Sequence, residues 1–113
     1  MSLSVRASGR ASVIAVGGEV DIDNAEELAE AITSAAAARP GALILELREV
    51  TFADSSAVNV LLRAHGALGP RLALAALSPF MDRLLDITGV SRVLRVHETA
   101  AAALTAADLG RRT

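Results

Sequence analysis

The chain has 113 residues, no Cys, and 13 acidic against 11 basic side chains, for a formal net charge of -2. That length suits one domain, large enough to fold without a metal or a disulfide, and the missing thiols exclude Cys nucleophiles, Cys-based zinc sites and iron–sulfur clusters. The charge balance offers no basic field for nucleic acid or anionic lipid, the basic residues are all Arg, which excludes Schiff-base and P-loop lysine chemistry, and Phe52 and Phe80 are too few for a base-stacking platform.

Met1 to Gly9 carries Arg6 and lacks the apolar core of a secretory signal. No later stretch reaches the ~20 apolar residues of a membrane span, so the expected location is the cytoplasm. Leu3 to Ala7 and Ser12 to Val16 alternate in part between apolar and polar residues around Gly9 and Arg10, which predicts an antiparallel hairpin. Gly17 and Gly18 are expected to end its second strand. Asn24 is placed to cap a helix whose first turns hold Glu26, Glu27 and Glu30, acids that offset the positive end of the helix dipole. Leu28, Ala31, Ile32 and Ala35 recur at helical spacing, and Arg39-Pro40-Gly41 stops the helix.

Leu43 to Val50 is a branched apolar run that reads as a strand buried on both faces. Asp54 and Ser55 supply capping oxygens for a second helix through about Leu68, with Val58, Leu61, Leu62 and His65 on its inner face and Asn59 and Arg63 outside. Arg71 to Leu77 reads as the next strand. Ser78-Pro79 opens a helix carrying Phe80, Met81, Leu84, Leu85 and Ile87, which Gly89 closes. Val93 to Val96 suits a short edge strand, and Thr99 caps a final Ala-rich helix anchored by Leu104 and Leu109, with residues 111–113 expected to fray. The order predicts an α/β fold: a mixed sheet of four to five strands with an N-terminal antiparallel hairpin, backed by about four helices, the middle ones on one face. In such sheets, sites gather beyond the carboxyl ends of the strands.

At that edge stands Phe52-Ala53-Asp54-Ser55-Ser56-Ala57-Val58, two hydroxyls beside a carboxylate at a helix start. Taken alone these residues are what any N-cap needs, worth ~1 kcal/mol. Asp21 and Asp23 with Glu19 nearby have the composition of a metal cluster, but their alternate spacing is met equally by solvent-facing loop acids, and no metal is assigned. His65 and His97 are the available imidazoles. His65 lies about 15 Å along the helix from Ser55, too far to act as its base, so a serine hydrolase is rejected and no catalytic residue or cofactor is assigned.

Three stretches carry a further signal. Gly18-Glu19-Val20-Asp21 before Asn24-Ala25, Leu43-Ile44-Leu45-Glu46-Leu47 leading into Asp54-Ser55-Ser56, and Ser78-Pro79 through Leu84-Leu85-Asp86-Ile87-Thr88-Gly89-Val90 occur in that order. In them the whole chain, residues 1–113, resembles a single STAS domain of the anti-sigma factor antagonists. The resemblance implies a non-enzymatic module that binds an anti-sigma factor, itself an ATP-dependent serine kinase, and so frees a sigma factor. Phosphorylation of Ser55 by that kinase would switch it off, and a Ser/Thr phosphatase would restore it. The same resemblance puts Asp21, Asp23, Asn24, Asp54, Ser56, Ala57 and Asn59 on the docking surface, with no direct role for nucleic acid or membrane. Ala57 stands where the family usually has Gly and Val58 where it usually has Leu, which implies an added methyl at the contact surface. The alternative within the fold is a non-switching STAS subunit of a larger assembly, a stressosome-like scaffold or a lipid-transport accessory.

Overall fold

Branched side chains set the centre of the molecule. In the computed structural model, which describes residues 1–112, strand β2 (Ala11–Val20) lies parallel to β3 (Leu43–Ala53), and Val13, Ile14, Leu43, Ile44 and Leu45 are all essentially inaccessible to solvent. Burying one such side chain contributes about 1.5–3 kcal/mol, which makes this strand pair the main hydrophobic support of the fold. On one flank β1 (Ser2–Ser8) pairs antiparallel with β2; on the other, β4 (Leu72–Ala75) and β5 (Val96–His97) add in parallel. The resulting five-stranded mixed sheet has the order β1-β2-β3-β4-β5.

Pleating sends alternate residues to opposite faces, and each face has its own cover. Leu43, Leu45 and Leu47 join Leu28 and Ile32 of helix α1 (Ala25–Ala38), Val58 and Leu61 of α2 (Ser55–Leu68) and Met81 and Leu85 of α3 (Pro79–Ile87) in the larger core. Ile44 points the other way, with Val13, Ala73 and Ala75, against Ala100 and Ala103 of α4 (Ala100–Arg112). Helices α1, α2 and α3 thus share one face, as the crossover rule predicts. Among the described residues no helix is long and apolar enough to cross a membrane.

Several boundaries differ from the sequence reading, each for a tertiary reason. Gly17 and Gly18 do not end β2; the strand runs on to Val20 through two register shifts against β3, and Gly18 takes φ +81°, the left-handed region that glycine enters without steric cost. Because β2 continues, β3 has a partner as far as Ala53 rather than stopping at Val50. Strand β4 is shorter than predicted, because Ala76 at φ 51° turns the chain directly after Ala75. The edge strand is confined to Val96 and His97. Leu62 is 40% and Leu109 57% exposed, so neither anchors its helix; Ala100, Ala103 and Leu104 hold α4 instead. Helix α4 runs through Arg112, and Thr113 lies outside the described residues.

At the amino ends of the parallel strands the turns are tied to one another. The Gly41 amide donates to the Arg10 carbonyl at 2.8 Å. The Arg71 guanidinium donates from Nε to Gly41 O at 3.1 Å and from Nη2 to Ala36 O and Arg39 O at 3.1 and 2.8 Å, satisfying carbonyls that α1 leaves unpaired at its C-terminus.

Candidate functional site

At the opposite edge β2 and β3 finish side by side, Val20 in register with Ala53. Each strand then turns into a helix, so the 21–24 loop and the start of α2 become neighbours. Asp54 joins them. Its amide donates to Val20 O at 3.3 Å. Its Oδ1 accepts from the Ser56 and Ala57 amides at 2.8 and 3.4 Å, capping α2, while Oδ2 accepts from the Ile22 amide at 3.2 Å. One carboxylate therefore caps the helix and fixes the facing loop.

Ser55 is the first residue of α2 and is exposed. The expectation that it shares the capping is corrected: Asp54 makes the cap, and the Ser55 hydroxyl is left on the surface. Asn24 is likewise not a cap, although it occupies the capping position of α1. Its Oδ1 accepts from the Asp21 amide at 2.9 Å and its Nδ2 donates to Glu19 O at 3.0 Å, closing the loop on itself rather than on the helix. The Asp21 carboxylate accepts from the Asp23 amide at 3.0 Å, which leaves Asp23 projecting into solvent. Among the described residues no group of three His, Asp or Glu is placed to hold a metal ion.

Ala57 departs from the sequence expectation most clearly. It is 4% exposed and belongs to the core with Val20, Ala53 and Leu61, so its methyl cannot meet a partner. The added methyl that the resemblance places at the contact surface fills core space instead. Ser56 is half-buried, with its backbone held by Asp54, and Asn59 is exposed one turn along α2. Arg63 donates from Nη2 to Glu26 Oε1 at 2.8 Å, linking α2 to α1; with both side chains more than half exposed, the pair contributes under about 1 kcal/mol.

Sequence reasoning missed two features. Ile22, at the tip of the loop between Asp21 and Asp23, is 77% exposed; an apolar residue between two acids was the available signal. Phe52 at the end of β3 and Phe80 at the start of α3 form a tilted ring pair with centroids 5.5 Å apart, and neither is buried. Phe80 is therefore not the core residue its helical spacing predicts. The edge thus combines an exposed hydroxyl, apolar contacts at Ile22, Phe52 and Phe80, and the acids Glu19, Asp21, Asp23 and Asp54. Neither imidazole is beside the Ser55 hydroxyl on α2: His65 lies about 15 Å away along the same helix and His97 sits on β5.

Replacing Asp54 with Ala is expected to cost about 2 kcal/mol, the sum of a lost cap and an unpaired loop amide. Urea unfolding measures the cost, and Asp54→Asn, which keeps an acceptor for the cap but turns an NH2 donor toward the Ile22 amide, should recover only about half of it. Full recovery in Asp54→Asn would reject the carboxylate as the joint between the loops.

A family model described as "Mlab, STAS domain" matches residues 3–96. The anti-sigma-F factor antagonist RsfB of Mycobacterium tuberculosis is 29% identical over 102 residues, covering 88% of this chain and 84% of that protein. The crystal structure of an anti-sigma factor antagonist from Mycobacterium paratuberculosis superposes with a TM-score of 0.85 at 29% identity, covering 95% of this chain and 93% of that one. The Bacillus cell fate determinant SpoIIAA, solved in its phosphorylated form, shares the fold at a TM-score of 0.68 and 24% identity, over 92% of this chain and 97% of that one.

Proposed function

Because this chain belongs to the STAS-domain family, we propose that it acts in the cytoplasm as an anti-sigma factor antagonist whose docking surface is the Asp54 edge and whose switch is Ser55. The observation that carries the reading is the position of Ser55, exposed at the first residue of α2 and directly after the carboxylate that fixes both loops. Unphosphorylated, it binds the anti-sigma factor through Ile22, Asp23, Asn59 and the Ser55 surface. The antagonist names of the mycobacterial relatives, and the Bacillus neighbour's phosphorylated form, support the same assignment.

The anti-sigma factor is itself the kinase in this reading. The Ser55 hydroxyl oxygen attacks the γ-phosphorus of ATP, its proton passes to a base on the kinase, and ADP leaves. A neutral hydroxyl becomes a group of about -1.5 to -2 charges on an edge already rich in acids. A Ser/Thr phosphatase reverses the step by hydrolysis.

Incubation with the cognate kinase and Mg-ATP, followed by tandem mass spectrometry, tests the assignment. One phosphate is expected on Ser55 and none in Ser55→Ala. Phosphate on Ser56 overturns Ser55 as the switch, and phosphate on neither serine leaves the non-switching subunit of a larger assembly as the better description.

A further inference from the structure

The far edge of the sheet, across the molecule from Ser55, holds a cleft of about 680 Å³ between the amino ends of the parallel strands and α4. We propose that it binds a small molecule with a phosphate head and an apolar body. Arg10, Arg71 and the Arg95–His97 pair reach it from three different segments, and among the described residues no carboxylate lines it. An adjoining hollow of about 250 Å³ shares Arg10 and contains Asp108, yet the one ion pair among the described residues is Arg63 with Glu26, so Arg10 and Arg95 have no counter-ion among them.

Scattered surface arginines repel one another into solvent, whereas these are brought together by anchored backbone. Arg10 is held by the Gly41 amide, Arg95 by the Leu74 amide at 2.8 Å, and His97 by the Ala76 amide at 3.0 Å, each through its own carbonyl. The Arg71 side chain is fixed by three carbonyls. Anchored backbone gathers the Arg10 and Arg95 heads beside the carbonyl-bound Arg71, and guanidinium forks suit phosphate oxygens. The opposite wall is Ala103, Ala106 and Ala107 of α4, small residues that leave room for an apolar body. The volume falls within the roughly 300–1,000 Å³ of small-molecule sites.

Backbone amide NMR titration of the full chain with phenyl phosphate, and with inorganic phosphate as the head alone, tests the proposal. Saturable shifts are expected at Arg10, Gly41, Arg71, Arg95 and His97, with a Kd of about 1 mM or tighter. Arg10→Gln and Arg95→Gln, both at exposed positions, should each weaken binding about tenfold with the remaining spectrum unchanged. Ala106→Leu should weaken phenyl phosphate but not inorganic phosphate, separating the apolar wall from the cationic one. Absence of saturation, or wild-type affinity in both Arg variants, overturns the site. Sedimentation with phosphatidylglycerol vesicles in the absence of saturation by phenyl phosphate also overturns it, assigning the phosphate instead to a lipid headgroup.

Discussion

Phosphate on Ser55, or Asp in its place, should weaken binding to the anti-sigma factor by more than about a hundredfold while leaving thermal stability nearly unchanged. A unit charge ~5 Å from an acidic group of the partner costs ~3 kcal/mol at an effective dielectric near 20, and a phosphate carries more than one unit. Within the chain the opposing effects are smaller. The N-terminal end of α2 favours a negative group by about 0.3–1 kcal/mol, against repulsion from Asp54 next to it. The cap should survive, because Asp54 and not Ser55 makes it. Calorimetric titration against the purified partner should therefore separate Ser55→Ala, which keeps binding, from Ser55→Asp, which loses it, with unfolding midpoints within about 3 °C of wild type. Equal affinities would remove Ser55 from the docking surface; a large fall in midpoint for Ser55→Asp would make it a structural residue.

Gly41→Ala should be the most damaging single methyl. A Cβ at that position would stand 2.4 Å from the Arg10 carbonyl oxygen and 2.6 Å from its carbon, both backbone atoms held in the β1–β2 turn. Neither can swing aside as a side chain would. Overpacking of this kind costs about 3 kcal/mol, which for a domain of this size lowers the unfolding midpoint by roughly 10 °C or more. Gly66→Ala provides the contrast: it lies in α2 with nothing within 4 Å of the added carbon, and the substitution should stabilise by about 0.5–1 kcal/mol. Differential scanning calorimetry of the two variants measures both signs, and a neutral Gly41→Ala would mean that the turn is free to move.

Much of the fold was legible in the sequence because its signals were local. Branched runs at Leu43 to Leu47, the Pro40-Gly41 and Gly69-Pro70 breaks and the Ser78-Pro79 helix start each dictate an element regardless of its neighbours. Errors arose where a distant partner decides the outcome. Gly18 looked like a stop, yet pairing with β3 turns it into a bulge that carries β2 three residues further than Gly17. Asn24 looked like a cap, but Glu19 and Asp21 claim its amide.

At the candidate site the acids and hydroxyls were readable from their types, since Asp54 and Ser55 announce a helix start. The side-chain directions were not. Only the packing of α2 on the sheet turns Ala57 inward, and only the meeting of β3 with α3 brings Phe52 against Phe80.

The two-sided carboxylate of Asp54 has an entropic meaning as well. Backbone freedom in the 21–24 loop and at the start of α2 is given up when the chain folds, not when a partner arrives. Docking then orders mainly side chains such as Ile22 and Asn59, at about 0.5–1.5 kcal/mol for each rotamer-rich group, so a small contact area can suffice for a specific and reversible complex.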